Sequence, residues 1–177
     1  MTLAESVNSI LGILSIVAQL TVVWLIFSWL FGLKIPQLVR THALPLAFTA
    51  ALIATLGSLT YSEILGYEPC KLCWIQRILM YPQVVILGLA LWGRHKGVRA
   101  LLDSSLVLSV VGSLVALYHY LMQLGVVPEG SCAAVGYSVS CAKIFVMTFG
   151  YITIPFMALS AFLLIIVSLR SVQRNQQ

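Results

Sequence analysis

Residues 101–124, LLDSSLVLSVVGSLVALYHYLMQL, hold one formal charge, Asp103, in twenty-four positions. Wound as an α-helix, a stretch of this length rises about 36 Å, enough to cross a hydrocarbon layer about 30 Å thick. Four further apolar stretches read the same way, at about 10–32, 44–65, 74–92 and 150–169. The third reaches spanning length only if its helix starts near Cys73 and takes in Gln76 and Arg77, because its clean apolar run begins at Ile78. Across the whole chain hydrophobic residues make up 60% and charged residues 8%, with a mean hydropathy of +1.02. That leaves too little polar surface for a water-soluble domain of 177 residues. Irregular backbone cannot face lipid, so an all-α membrane protein with five spanning helices is the expected fold.

The first span could be taken for a cleavable leader. Its leading segment carries Glu5 and no Lys or Arg, its apolar run is long, and no small-x-small site follows it, so it reads as a permanent helix. Basic residues set the orientation. Lys34, Arg40, Arg94, Lys96, Arg99, Arg170 and Arg174 follow spans 1, 3 and 5, and make seven of the ten Lys and Arg residues. Positive-inside counting puts the C-terminus in the cytoplasm and the N-terminus outside. The net charge of +5 therefore records topology and gives no reason to expect nucleic acid as a partner.

Four cysteines stand out against this background, Cys70 with Cys73 and Cys132 with Cys141, and two spans separate the pairs. An even number of spans returns the chain to the face it left. Both pairs then lie outside, where disulfides persist, and can exchange with one another.

The segment Tyr67-Glu68-Pro69-Cys70-Lys71-Leu72-Cys73-Trp74-Ile75-Gln76-Arg77 is the most specific in the chain. Pro69 suits the entry to a helix. Cys70, Cys73 and Arg77 would then share a face, with the guanidinium reaching back toward Cys73. The positive end of the helix dipole lies at the same place, and each feature favours the reactive thiolate. Other readings exist. The four cysteines could bind zinc, but eight residues between Cys132 and Cys141 is unusual spacing for a zinc knuckle, so no metal is expected. Two inert disulfides are a better rival, although a two-residue spacer is typical of exchanging pairs. Arg77 also suits snorkelling to headgroups, and Trp74 an interfacial anchor.

Pro-Cys-x-Leu-Cys-Trp-x-Gln-Arg, two spans, a cysteine-bearing outer loop and a last span together resemble the DsbB/BdbC family of disulfide-bond formation proteins. The resemblance covers about residues 44–170 and leaves an additional N-terminal helix with its loop, residues 1–43, and a short tail, 171–177. It implies a four-helix redox bundle in a bacterial cell membrane. That bundle would reoxidise a DsbA/BdbD-like thioredoxin-fold protein and pass the electrons to a membrane quinone, ubiquinone or menaquinone. By position in the motif, Cys73 would engage quinone with Cys70 as its partner, and Arg77 would assist quinone binding. Cys132 and Cys141 would form the loop pair that receives electrons from the partner protein. The short loop between them resembles the compact BdbC-like branch.

Gly125 to Gly150 is rich in glycine and small residues and reads as a loop able to move between partner and bundle. In span 4, His119 and Gln123 share a helical face near the outer surface and are candidates for a hydrogen bond or proton path to a quinone carbonyl, against an ordinary packing role for the histidine. Pro82 and Pro155 read as helix kinks. The expected activity is that of a thiol:quinone oxidoreductase. Two alternatives remain: a vitamin K epoxide reductase-like enzyme, whose loop pair precedes its C-x-x-C, and a scaffold with structural disulfides.

Overall fold

A computed structural model of the chain describes residues 2–33, 37–93, 97–130 and 139–174. It contains five helices long and apolar enough to cross a membrane. They are α1 (Leu3–Leu30), α2 (Gln37–Leu59), α3 (Lys71–Trp92), α4 (Val98–Gln123) and α5 (Ile154–Arg174), and α2 runs on into a π-helical turn, Thr60–Ile64. The chain is an all-α protein with five spans.

The helix bounds differ most from the sequence reading at the start of α1, at the start of α2, which lies at Gln37 where 44 was expected, and at both ends of α5, which runs to Arg174 where 169 was expected. The first helix begins at Leu3, because Thr2 and Glu5 cap each other: Glu5 N–H donates to Thr2 Oγ1 at 3.3 Å and Thr2 N–H to Glu5 Oε2 at 2.8 Å. The last helix begins at Ile154, later than the expected 150. Phe149 and Gly150 turn the chain with φ of 54° and 80°, and Thr148 and Ile152 exchange N–H···O bonds of 2.9 and 3.0 Å across that turn. Pro155 therefore falls in the first turn of α5, where its missing N–H breaks no helical bond. It marks a helix start, and the expected kink at this position is corrected.

α2, α3, α4 and α5 pack in that cyclic order, and α1 lies against the outer side of α5. This makes α5 the central helix. In its spanning segment 56% of the residues are buried, against 17–28% in the other four. Lipid tails are as apolar as leucine, so helices in a membrane associate through close van der Waals fit and small residues more than through the hydrophobic effect. The core follows that rule: Ala47, Ala51 and Ala116 let the backbones approach, and Phe162, Leu87 and Ile165 fill the space between them. On α1 the buried positions Gly12, Ser15, Ala18, Val22, Leu25 and Ser28 form one narrow stripe facing α5. A polar latch joins α3 to α4, where Gln83 Oε1 accepts from Ser105 and Ser109 at 2.8 and 2.9 Å.

Gly112 shows how tight the packing is. A Cβ there would stand 2.4 Å from the ring of Phe162, which is fully buried and has no room to withdraw. Gly112→Ala is expected to destabilise the bundle by roughly 1–3 kcal/mol, the usual range for overpacking a core. A thermal midpoint in detergent equal to that of the wild type would contradict this packing.

Candidate active site

Cys70 is the N-cap of α3, in extended conformation with φ −72° and ψ 176°, and its sulfur accepts the Cys73 N–H at 3.4 Å. The backbone has to turn here because Pro69 precedes the cap and disfavours helical geometry on its N-terminal side. The two sulfurs lie 3.1 Å apart and both cysteines are free. When Cys70 is the thiolate, the Cys73 thiol is the one of the two with a hydrogen to give. That hydrogen bond, reinforced by His119 and the Cys73 amide, holds the Cys70 thiol well below the usual thiol range even though the residue is buried. The helix N-terminus acts in the same direction.

His119 is fully buried on α4. Its Nδ1 lies 3.0 Å from Gln76 Nε2, which has only hydrogens to offer, so Nδ1 accepts and the ring proton sits on Nε2. That Nε2–H faces the carbonyl oxygen of Cys141 at 3.1 Å and the sulfur of Cys70 at 3.7 Å. Cys141 is buried and disulfide-bonded. The Cys70 sulfur, the His119 ring nitrogen and the Cys141 sulfur all lie within 4.8 Å of one another. Three such donors can suggest a metal, but a sulfur held in a disulfide has no thiolate to give one. The arrangement is a thiol poised beside a disulfide.

The Cys141 segment is fastened from several sides. The Glu129 carboxylate accepts from the Ser140 hydroxyl and from Ala142 N–H at 3.1 Å, and Gln123 Nε2 donates to the Lys143 carbonyl at 3.2 Å. Cys132 lies outside the described residues, as do its neighbours through 138.

On the other side of the cysteine pair an elongated cavity of about 270 Å³ opens between α1, α2, α3 and α5. Cys73, Gln76, Arg77 and Tyr81 line its polar end from α3, with Ser58 and Tyr61 opposite. Arg77 is turned across to α2: Nε donates to Ser58 Oγ and Nη2 to the Ser58 carbonyl, both at 3.0 Å, while Tyr81 OH reaches the same hydroxyl at 3.1 Å. Its guanidinium also stands 5.3 Å from the ring centroid of exposed Trp74. The ladder Tyr61–Tyr67–Phe145, stacked at 5.9 and 5.2 Å between centroids, stands at the same end, and all three rings line the cavity.

The structure thus gathers Cys70, Cys73, His119 and Cys141 at one point and places Arg77 on the cavity side of α3. His119 and Gln123 are directed at the Cys141 segment and do not line the cavity. Four residues escaped the sequence reading. Gln76 sits inside the quoted motif, where a polar side chain on a spanning helix three positions after Cys73 was the available signal; Ser58, Tyr81 and Glu129 had none.

His119 positions Cys70 through its Nε2–H, which gives a pH test. A thiol with a lowered pKa stays ionised above that pKa, so exchange between the two cysteine pairs should be level through neutral pH and fall only on acidification. In His119→Ala part of the support for the thiolate is lost and the midpoint moves upward. Single-turnover exchange should then be about tenfold slower at neutral pH and rise with alkali, as the thiolate fraction dictates. A His119→Ala profile superimposable on the wild type would make this histidine a packing residue.

Comparison with known proteins adds a second line of observation. The family described as Disulfide bond formation protein DsbB matches residues 40–171. A probable disulfide formation protein from Oceanobacillus iheyensis is 45% identical over 138 residues, which cover 76% of this chain and 91% of the relative. Probable disulfide formation protein C 1 of Bacillus anthracis is 42% identical over 137 residues, 77% of this chain and 96% of that one. Disulfide bond formation protein C of Bacillus subtilis is 44% identical over 121 residues, 68% and 85% of the two chains. No solved structure matches the chain.

Proposed function

This chain belongs to the DsbB family of disulfide bond formation proteins, a multi-pass bacterial membrane protein, and on that premise we propose that it is a thiol:quinone oxidoreductase. It reoxidises an extracytoplasmic thioredoxin-fold protein of the DsbA/BdbD type and delivers the electrons to a membrane quinone. One observation carries the reading. The Cys70–Cys73 pair stands between two environments, with the Cys141 disulfide sulfur within 4.8 Å of Cys70 and an apolar cavity opening at Cys73.

The chemistry is a relay of thiolate attacks on disulfide sulfurs. A thiolate of the partner attacks Cys132 in the Cys132–Cys141 disulfide and releases Cys141 as thiolate; the partner's second thiolate then closes the partner disulfide and frees Cys132. Cys141 attacks Cys70 of an oxidised Cys70–Cys73 pair, releasing Cys73, and Cys132 resolves that bond by attacking Cys141. The loop pair is then oxidised and Cys70–Cys73 reduced, the same redox arrangement as the described one, with Cys141 bonded and Cys70 and Cys73 free.

The cavity fits a quinone by the chemistry of its lining. Its polar end carries Arg77, Ser58 and Tyr81 beside a thiol, and the remainder is apolar, as an amphipathic ring-and-chain molecule requires. When bound, such a quinone supplies a two-electron, two-proton acceptor. The protein's share is to present Cys73 at the ring, with Cys70 poised to close the pair's disulfide behind it, and to hold Arg77 by Ser58 where it can donate to a ring carbonyl. In sum, two thiols of the partner become a disulfide and the two protons end on the quinol.

The direct test is the purified chain with a reduced thioredoxin-fold partner and either ubiquinone or menaquinone. One quinol should form for each partner disulfide, and partner oxidation with no quinone consumed would overturn the reading. Orientation is tested separately: an impermeant thiol reagent added to intact cells should label Cys132 after mild reduction. Labelling only after lysis would reverse the topology and remove the oxidative-folding role.

A further inference from the structure

Helix α1 lies outside the family-matched residues 40–171, yet it supplies one wall of the cavity through Leu11, Leu14, Ser15, Val17, Ala18 and Thr21. We propose that α1 completes a channel for the prenyl chain of the quinone, with the chain lying in the cleft between α1 and α2 against α5. The inference rests on the quinone reading above and adds to it the part of the substrate that α1 recognises.

The shape of the cavity is the first argument. Its lining on α2 runs from Tyr61 back to Leu46, fifteen residues or about 22 Å of helix at 1.5 Å per residue. The lining on α1 runs from Leu11 to Thr21, about 15 Å on the same rule. A quinone ring occupies only the end beside Cys73 and Arg77. The rest is a long, mostly apolar passage through Ala50, Ile53, Leu14 and Ala18 toward Leu46 and Leu164, which suits a chain; the hydroxyls along it, on Ser15, Thr21, Thr49 and Ser160, already donate within the protein.

The second argument is that α1 is fixed in place. Ser15 Oγ donates to Ser160 Oγ at 3.2 Å, Gln19 Nε2 donates to both hydroxyls at 3.1 and 3.2 Å, and Tyr151 OH donates to Gln19 Oε1 at 3.2 Å. In an apolar medium such a polar clasp sets one register, because any slip leaves its members unpaired. Gly12 is pressed against the turn before α5, where a Cβ would come within 2.9 Å of Thr148 and 3.1 Å of Phe149. Phe149 holds its left-handed φ of 54° at this contact, a conformation costly for a residue with a Cβ. On the far side Leu11 reaches α2, where a Cβ at Gly57 would lie 3.1 Å from its methyl. α1 therefore touches α5, the turn and α2, and bridges the cleft.

The test compares quinones that differ only in the chain. Reduced-partner turnover is measured on menadione against menaquinone bearing a geranylgeranyl group, and on chainless coenzyme Q against decylubiquinone, using the full-length protein. The wild type should show a KM at least tenfold lower for the chain-bearing member of at least one pair. Leu14→Trp fills the cleft from a side chain that is 39% exposed and so need not disturb the core. It should shrink that ratio at least fivefold, and Val17→Trp, from a position 54% exposed, should do the same. Single-turnover exchange with the partner protein verifies that each variant is folded. Wild-type ratios in both tryptophan variants would overturn the channel, and so would a wild type indifferent to the chain, although it would leave the quinone reading standing. A wild type that reduces no quinone would sink both. Labelling of the cavity-lining, unexposed positions Leu11, Ser15 and Ala18 by a photoreactive phospholipid, undiminished by menaquinone, would assign the cleft to lipid and reject the inference.

Discussion

Cys70→Ser is expected to lower steady-state quinone reduction at least about a thousandfold, the scale on which loss of a nucleophile acts. The serine keeps the size and can still accept the Cys73 N–H, so the start of α3 survives. What is lost is the sulfur that, among the described residues, faces both the Cys141 disulfide and Cys73. Electrons taken by the loop pair then have no route inward. The partner protein should still be oxidised once by each molecule of enzyme, in a burst of unit stoichiometry that does not repeat. The measurement is partner oxidation and quinol formation on the same sample. Turnover above a tenth of the wild-type rate would mean that the loop pair reaches quinone by a path that avoids Cys70.

Arg77→Ala comes second in size. Arg77 spends two of its donors on Ser58 and lines the polar end of the cavity, so the remaining N–H groups are free to meet a carbonyl there. Near the membrane interface the local dielectric is lower than in water, which strengthens that interaction. A hydrogen bond to a charged group is worth about 1.5–3 kcal/mol, so the apparent KM for quinone should rise on the order of tenfold to a hundredfold. Burst oxidation of the partner should be retained, since the loop pair lies on the other side of α3. Arg77→Lys keeps the charge and loses the planar fork that grips Ser58, and an intermediate KM is expected. Wild-type quinone kinetics in Arg77→Ala would reduce the residue to a tie between α3 and α2.

The five spans were legible because apolar length is a one-dimensional property that the chain displays directly. The C-x-x-C pair was legible for the same reason: Pro69, Cys70 and Cys73 act on one another through the local backbone. Partnerships across helices were not. Nothing near Ser58 announces that it receives Arg77 from nineteen positions downstream, and nothing around Gln76 announces His119 on another helix. Helices that are apolar on every face carry little of the amphipathic signal that tells inside from outside in a soluble protein. The role of α1 was hidden for that reason, since its stripe of Gly12, Ser15 and Ala18 looks like any run of small residues until α5 is seen against it. Arg77 and Cys73 do share the cavity wall, but the guanidinium leans toward α2 because a hydroxyl and a carbonyl are waiting there.

Cys70 also caps its helix with the atom that does the chemistry. As a thiolate, its sulfur is a charged acceptor for the Cys73 amide at the positive end of α3. Once it is bonded to Cys141, that charge is gone and the first turn loses an anchor typically worth about 1 kcal/mol, with no bond to Cys73 in its place. The stage of the relay is therefore written into the mechanics of one helix end, held while Cys70 is a thiolate or bonded to Cys73 and looser while it is bonded to Cys141. A joint that softens only in the mixed disulfide gives Cys73 its freedom to move during the part of the cycle in which a new bond has to be reached.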